Sequence, residues 1–455
     1  MKEIEVFWYT LIVLCTIYSL VNWRRGIYLG IAIDFLRDPI RKLSPNQPVY
    51  ITLSGAAFWG MLVLSILLTQ PRMINQMTGA YPRLRIASRL VFLAVIPAAT
   101  MSFISYSGGL KLAIIGGASY IFPLLGIAAG YGMVNSEKQV FSILRWYIFV
   151  NGLALISVPL EYWKVITTAV GGINYHWIRY SATDTIDLMS GWYRSPDIMG
   201  LHAAHVIMFA MLLAVRSRTE TQLSWLAMAL WAAFCVLLSG RRKMIGIPMV
   251  FLATYVLLGT SQRVGRITRL LGFFCGAVVC AIAIIFILWD VDEYVEYTDF
   301  AGTLFTHGID RGSELMVGHT YGTIQSTSIF GAGLGTGTQG MYHFSASGER
   351  PRTWQEDGIS RLFLEFGVPG VIILICAAYQ MLRVFRRALK NVLPGSREQL
   401  VQLALLSVVA GDAASYAISH QQFSGDPVNG LFVTLIAGMA LALTKQTNIR
   451  PVPLS

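Results

Sequence analysis

Apolar runs about as long as a bilayer is thick recur along almost the entire chain, and they limit what it can fold into. A helix needs about 20 predominantly apolar residues to cross the hydrocarbon core, where backbone polar groups must bond within the protein. The mean hydropathy is +0.58 and only 13% of residues are charged, which excludes an ordinary soluble domain. We therefore predict an all-α, polytopic membrane protein with about 12 transmembrane helices. The predicted spans are Ile4–Trp23, Val49–Thr69, Leu90–Ser107, Leu112–Val134, Val140–Leu160, Met199–Val215, Leu223–Leu238, Met244–Thr260, Leu270–Trp289, Leu362–Leu382, Leu400–Ser419 and Asn429–Leu443.

One long polar segment, 290–360, interrupts this pattern. It holds ten carboxylates and three arginines, although the whole chain has a formal net charge of +11. Long loops poor in Lys and Arg lie outside the cytoplasm, whereas short basic loops stay inside. The expected organisation is a first membrane bundle over 1–289, a large helical extracytoplasmic loop over 290–360, and a last bundle with a cytoplasmic tail over 361–455.

The same charge rule orients most of the remaining loops. Short basic segments follow several spans and are predicted to be cytoplasmic, which places 161–198, 239–243 and 420–428 outside. The orientation of residues 1–135 stays open, because Arg24–Gln47 is basic yet simple alternation puts it outside. Within it, Asp34–Lys42 is predicted to be an interfacial helix with internal ion pairs. The five cysteines all lie in apolar runs, so neither a disulfide framework nor a thiolate metal site is expected.

The end of the polar segment carries an acidic pair at a defined distance from two glycines. Glu356-Asp357 is followed by nine residues and then by Gly367-Val-Pro-Gly370. Nine residues make about two and a half helical turns, and small glycines allow close helix approach. Glu356 is thereby a candidate general base for a hydroxyl at the membrane surface. The plainer interpretation is a pair of solvated carboxylates at a helix start, where negative charge is favourable.

Two further motifs present arginines on predicted outer segments. Arg311 lies between Asp310 and Glu314, and a glycine string, 331–335, follows. A guanidinium binds phosphate oxygens through two parallel hydrogen bonds, although a salt bridge to a neighbouring carboxylate is the alternative. The turn Ser239-Gly-Arg241-Arg242-Lys243 places three cations outside, against the usual charge asymmetry. An anion, or else the lipid headgroups, would compensate them.

A fourth motif combines an arginine with aromatic rings. Trp192 and Tyr193 precede Arg194, and Pro196 stands near the start of a predicted membrane helix, where proline is tolerated. Arg194 would hold a phosphate, and the rings would contact a sugar. Alternatively, the rings are ordinary aromatic residues of the membrane interface.

Several single residues are weaker candidates. Asp412 is predicted within a span, which makes it a functional candidate by default. His420 opens an outward turn and is a candidate for contact with the substrate. His202 and His205 are interpreted as polar residues of the core rather than as metal ligands, and no cluster of metal-ligand type stands out in the sequence.

These motifs resemble the O-antigen ligase and O-antigen polymerase superfamily over roughly 191–372. In that family a histidine and a small polar residue precede nine residues and G-x-x-G, and Glu356-Asp357 stands where the histidine pair would be. The segment from Arg311 to the glycine string, the turn at Arg241 and the approach to the helix at Arg194 are also similar to family patterns.

The resemblance implies a GT-C-like, all-helical glycosyltransferase of the bacterial inner membrane, with its large loop facing the periplasm. It implies transfer of a glycan from undecaprenyl diphosphate to an acceptor hydroxyl without a metal or other cofactor, in surface or exopolysaccharide biosynthesis with other assembly proteins. The catalytic residues would be Glu356, Arg311, Arg194 and Arg241. Substrate contacts would come from Arg242, Asp357, Trp192, Tyr193 and His420.

A polymerase of repeat units is favoured over a ligase, because the histidine typical of the ligases is absent. The main alternative is a transporter or flippase for lipid-linked or other anionic cargo, which would also place basic residues along a cavity. Such a transporter typically has two related halves or broken helices, and the sequence has no evident duplication. A structural assembly subunit is the third alternative, and it predicts scattered arginines. Nothing in the pattern indicates nucleic-acid binding.

Overall fold

A computed structural model describes residues 3–166, 178–180, 185–216, 219–261, 314–338 and 355–445. Eleven helices in this part of the chain are long and apolar enough to cross a membrane. They correspond to eleven of the predicted spans, and the remaining one, Leu270–Trp289, lies outside the described residues. The chain is therefore a multi-pass helical membrane protein. Most of the polar segment 290–360 also lies outside the described residues.

The described helices, in chain order, begin and end as follows. They are α1 (Glu3–Val21), α2 (Trp23–Leu43), α3 (Val49–Thr69), α4 (Met73–Ala80), α5 (Pro82–Ser105), α6 (Gly109–Met133), α7 (Glu137–Ala154), α8 (Ser157–Tyr162), α9 (Pro196–Arg216), α10 (Thr219–Leu238), α11 (Arg242–Ser261), α12 (Thr320–Ser326), α13 (Gly358–Lys390), α14 (Arg397–Ile418), α15 (Gln421–Ser424) and α16 (Pro427–Ala442). A π-helical turn, Glu314–His319, precedes α12, and a 3₁₀ turn, Leu443–Lys445, follows α16. The strands β1 (Ile178–Tyr180) and β2 (Thr185–Asp187) pair antiparallel, with Ile178 opposite Asp187.

The chain divides into two compact units. The first unit is Met1–Ser65, Ser136–Gly308 and Pro394–Gly411, and the second is Ile66–Asn135, Ile309–Leu393 and Asp412–Ser455.

The first unit is organised around α9, in whose membrane-spanning stretch 94% of the residues are buried. It packs against α7, α10 and α11, and α2 packs against α1 and α7. Most of the basic region Arg24–Gln47 belongs to one helix, α2, which is capped by Asn22 and contains Pro39. One predicted internal ion pair is confirmed, because Arg37 bonds Asp34 one turn earlier.

The second unit is built on the packing of α6 against α16 and of α5 against α13. Glycines let the first pair approach closely: a Cβ on Gly130 would lie 2.0 Å from Leu435 O, and one on Gly438 would lie 2.1 Å from Ile127 O. Small residues at such contacts are the usual basis of helix association in membranes. A cluster of apolar side chains that includes Ala98 and Phe366 fills the contact between α5 and α13.

Candidate functional site

A short segment of the first unit, residues 190–197, leads from the β-strands into the first turn of α9. Its start is fixed by two charged side chains from different helices. Glu161 Oε2 accepts the N–H groups of Ser190 (2.8 Å) and Gly191 (2.6 Å). Lys42 Nζ donates to Ser190 Oγ (3.1 Å) and to Gly191 O. Gly191 has a φ of 55°, a conformation that favours glycine.

Arg194 is bound to a carboxylate of α2. Its guanidinium lies 3.2 Å from Asp38 Oδ1, and its backbone N–H donates to Asp38 Oδ2 over 3.2 Å. The two side chains are only 11% and 2% exposed. The sequence predicted that Asp38 forms ion pairs within α2. This prediction is incomplete, because the Asp38 carboxylate binds Arg194 of the 190–197 segment.

Arg241, in the turn before α11, and Lys243, in the first turn of α11, share a second carboxylate. Asp197 Oδ2 lies 3.1 Å from Arg241, and Asp197 Oδ1 lies 2.7 Å from Lys243 Nζ. The turn itself is set by Gly240, with a φ of 56°, and by Ser239 Oγ, which accepts the Arg241 N–H over 3.1 Å. Within the described part of the chain, Arg241 Nε is buried and has no hydrogen-bond partner. The Asp197 carboxylate thus contacts two cations at once.

The structure thus brings two of the three predicted catalytic arginines to one segment. Asp197, which binds Arg241, stands three residues after Arg194. We call Arg194, Arg241, Lys243 and the segment 190–197 the basic cluster. The third arginine, Arg311, lies outside the described residues, as does the side chain of Arg242.

The two aromatic residues beside Arg194 differ in exposure. Tyr193 is fully buried, donates its hydroxyl to Asn151 Oδ1 (3.1 Å) and stacks on His202 with ring centres 5.3 Å apart. Burial raises the pKa of the Tyr193 hydroxyl well above its usual range. Its ring packs in the core, which argues against the predicted contact with a sugar. Trp192 is partly exposed and lies 6.3 Å from the ring of Phe35.

The two histidines of α9 are core residues, as expected. Tyr147 Oη lies 2.7 Å from His202 Nδ1 and 3.0 Å from His205 Nδ1, and all three side chains are buried. No group of metal-ligand side chains large enough to hold an ion occurs among the described residues.

Lys42 is a buried cation that the sequence did not single out. It belongs to α2, and its amino group bonds the start of the 190–197 segment. Burial lowers the pKa of Lys42 to about 8, against the opposing effects of Glu161 and Asp38, which raise it. The charge of this group therefore changes near physiological pH.

In the second unit, Asp357 is the N-cap of α13. It is fully buried, and its Oδ1 accepts the Ser360 N–H over 2.6 Å. Its other oxygen lies 3.7 Å from His319 Nδ1. This hydrogen bond stabilises the helix start, but the carboxylate is buried rather than solvated as predicted. Among the described residues, its Oδ2 atom has no hydrogen-bond partner.

Glu356 precedes this cap and lies next to His420. The Glu356 carbonyl accepts the His420 N–H over 3.3 Å, and the Glu356 side chain is only partly buried. His420 Nε2 lies 2.9 Å from Gln355 O and Nδ1 lies 2.7 Å from Ser424 Oγ. Because a carbonyl only accepts, the Nε2 atom carries a proton. Two separately predicted residues thus meet at one helix end, although the His420 ring is buried.

The glycine string is an irregular segment packed against α5, α6 and α13. We call residues 329–338 the glycine segment. Gly331, Gly333 and Gly335 have φ values of 81°, 101° and 86°. Ala332 N–H donates to Leu364 O (2.6 Å), and Leu334 N–H donates to Ala98 O (2.9 Å). Irregular backbone among membrane helices requires such internal bonding.

The predicted close helix approach at Gly367 takes a different form. Helix α13 breaks there, with a φ of 62° and a ψ of −175°. A Cβ on Gly367 would lie 2.3 Å from the backbone of Phe330, so a loop rather than a second helix approaches this glycine.

The sequence interpretation missed Arg361 and Glu365, which lie between the cap and the break. Both are buried, and Arg361 Nε donates to Glu365 Oε1 over 3.1 Å. The available signal was a pair of opposite charges four residues apart within an apolar run, a spacing that places them on one helix face. Asp412 is buried within α14, as predicted from its place in a span.

The fold and these clusters define a polytopic helical membrane protein with charged groups buried among its helices. No family model, curated protein or solved structure matches the chain.

Proposed function

We propose that the protein is a membrane glycosyltransferase that transfers a glycan from a lipid diphosphate, such as undecaprenyl diphosphate, to an acceptor hydroxyl. The single observation that carries this proposal is the basic cluster. Arg194, Arg241 and Lys243 meet at one segment, with Asp38 and Asp197 as their carboxylate partners. Cations held in place before the reaction stabilise charge that develops on a leaving group. A departing diphosphate requires this kind of stabilisation.

Glu356 is the proposed base for the acceptor hydroxyl. It is partly exposed, and it immediately precedes the N-cap of a membrane helix. A carboxylate at such a place is accessible from solvent, unlike the fully buried Asp357. Because the ligase-type histidine is replaced by glutamate, polymerisation of repeat units on an outward-facing surface is favoured over ligation.

The experiment is a glycan-transfer assay with the purified full-length chain and a lipid-linked donor, comparing Arg241→Lys and Arg194→Lys with wild type. Lysine keeps the charge but loses the planar fork that binds two phosphate oxygens at once. We expect each variant to lose transfer by about tenfold or more, since one charge-assisted bidentate contact is lost. Arg386→Lys, an exposed cation of α13, is the control and should behave as wild type. Equal activity in all variants would refute the role of the basic cluster.

A transporter of anionic cargo is the second candidate, and the break in α13 is the observation that favours it. Discontinuous helices with charged groups nearby are typical of transport sites. The break at Gly367 lies only two residues after Glu365. Reconstituted vesicles separate the two functions. A glycosyltransferase lengthens lipid-linked glycans, whereas a transporter moves the unchanged molecule across the bilayer.

A further inference from the structure

A buried ion pair in the second unit joins three parts of the chain. Arg361 and Glu365 stand one turn apart on α13, and they are 1% and 0% exposed. Tyr120 of α6 donates its hydroxyl to Glu365 Oε2 over 2.7 Å. Gly337 of the glycine segment donates its N–H to Glu365 Oε1 over 3.1 Å. We call this arrangement the Arg361–Glu365 clamp.

A second nitrogen of the Arg361 guanidinium, Nη2, is also bonded. Its NH2 group donates to Ser119 Oγ (3.0 Å) and to Thr338 Oγ1 (3.2 Å). Its guanidinium carbon lies 5.1 Å from the centre of the Tyr120 ring, which adds a cation–π contact. Hydrogen bonds in a buried polar network reinforce one another, which favours one arrangement of the elements that they join.

Such a network is not the least costly way to fill a core. Apolar residues of similar volume commonly stabilise a fold more than a buried ion pair does. The clamp is therefore better explained by the geometry that it imposes than by the stability that it adds.

The element whose geometry it fixes is the first part of α13, residues 358–366. This part begins at the cap Asp357 and ends at the break at Gly367. The Arg361 N–H bonds the Asp357 carbonyl over 3.3 Å, and Glu356 precedes that cap. The break separates residues 358–366 from the rest of α13. The orientation of this first part is therefore not set by the rest of the helix alone.

We infer that Arg361 and Glu365 are positioning residues, which hold the first part of α13 so that the Glu356 carboxylate stays at a fixed place. The clamp ties this part to α6 and to the glycine segment, and both of its charged side chains are buried. The inference rests on the proposed function of Glu356 as the base.

Spin labelling tests the positioning directly and does not depend on activity. A nitroxide is attached at Glu356→Cys, or at Lys390→Cys as the control, in the full chain with its native cysteines replaced and held in lipid nanodiscs. Lys390 ends α13 beyond the break. We expect Glu365→Gln and Tyr120→Phe to sharpen the spectrum at 356 and to leave the spectrum at 390 unchanged. Unchanged spectra at 356 in folded variants would overturn the inference.

If Glu365→Gln does not fold, Tyr120→Phe still tests the inference. This variant removes only one hydroxyl and leaves the ring over Arg361. With Glu356 intact, this variant should lower kcat by about tenfold, as expected for one lost hydrogen bond to a charged group, and leave KM within about twofold. Tyr255→Phe, in α11, is the matched control and should not change kcat. An unchanged kcat in Tyr120→Phe would contradict the inference.

The two proposals fail in different ways. If Tyr120→Phe frees the label at 356 while Glu356→Gln retains full transfer activity, the clamp positions this segment but Glu356 is not the base. If Glu356→Gln abolishes transfer and the label stays fixed in both clamp variants, Glu356 is the base and the clamp does not position it.

Discussion

Replacement of Gly367 by alanine tests the packing of the glycine segment on the break in α13. Gly367 has a φ of 62° and a ψ of −175°, a region that is essentially restricted to glycine and costs other residues about 1–3 kcal/mol. The new Cβ would also lie 2.3 Å from Phe330 C and 2.6 Å from Gly331 N. Backbone atoms must move to relieve this contact, which adds about 1–3 kcal/mol. We expect a total loss of about 2–6 kcal/mol.

Two other glycines separate these causes. Gly395 has a φ of 74° with no atom within 4 Å of an added Cβ, so Gly395→Ala should cost only the conformational part, about 1–2 kcal/mol. Gly246 lies within α11 and also has open space around it. Gly246→Ala should therefore stabilise the helix by about 0.5–1 kcal/mol.

The assay is thermal unfolding of the three variants in one detergent, followed by circular dichroism. The expected order of stability is Gly246→Ala above wild type, then Gly395→Ala, then Gly367→Ala. If Gly367→Ala is no less stable than Gly395→Ala, the close contact between the glycine segment and α13 is refuted.

The pKa of Lys42 is about 8 in the folded chain, against an ordinary value of 10.5. Between these two pH values the unfolded chain therefore binds more protons than the folded chain. The free energy of unfolding should then rise with pH across that window. Lys42→Met should abolish this slope in unfolding measured from pH 7 to 11. Asp357→Ala should destabilise α13 by about 1 kcal/mol through loss of its cap, whereas Asp357→Asn should cost little; equal melting temperatures for Asp357→Ala and wild type would contradict the capping role. Glu356→Gln should lower glycan transfer by about 10²–10⁴-fold with unchanged unfolding, and Glu356→His should retain more activity than Glu356→Gln.

The membrane helices could be predicted from the sequence because each satisfies a local rule. An apolar run of sufficient length must form a helix when it crosses a bilayer, and eleven predicted spans coincide with candidate spans of the structure. Helix α2 was harder to assign, because its charged residues interrupt the apolar pattern. Its carboxylate Asp38 reaches Arg194, far away in the sequence, and no local pattern predicts such a partner.

The break in α13 shows a different limit. The spacing from Glu356 to Gly367 and Gly370 indicated close approach, but small residues accommodate a loop as readily as a helix. The loop became evident only with the φ value at Gly367 and the bonds from Ala332 to Leu364. Arg361 and Glu365 carried a usable signal, since charges in a membrane span are costly and are commonly functional.

The burial of single side chains was the least predictable part of the site. Tyr193 and Trp192 are adjacent and chemically similar, yet one is fully buried and the other is partly exposed. Their exposure depends on which helices pack around the 190–197 segment. For the same reason, the sequence could not distinguish Asp357, a buried cap, from Glu356, its partly exposed neighbour.

Transfer from a defined lipid diphosphate donor by the purified full-length chain tests the central claim most directly. The chain is reconstituted with a lipid-linked repeat unit, and the products are separated by the length of their glycan. The proposed function predicts longer lipid-linked glycans together with released lipid diphosphate, and a loss of both in Arg241→Lys and in Glu356→Gln. A donor that crosses the vesicle membrane but is never lengthened would contradict it.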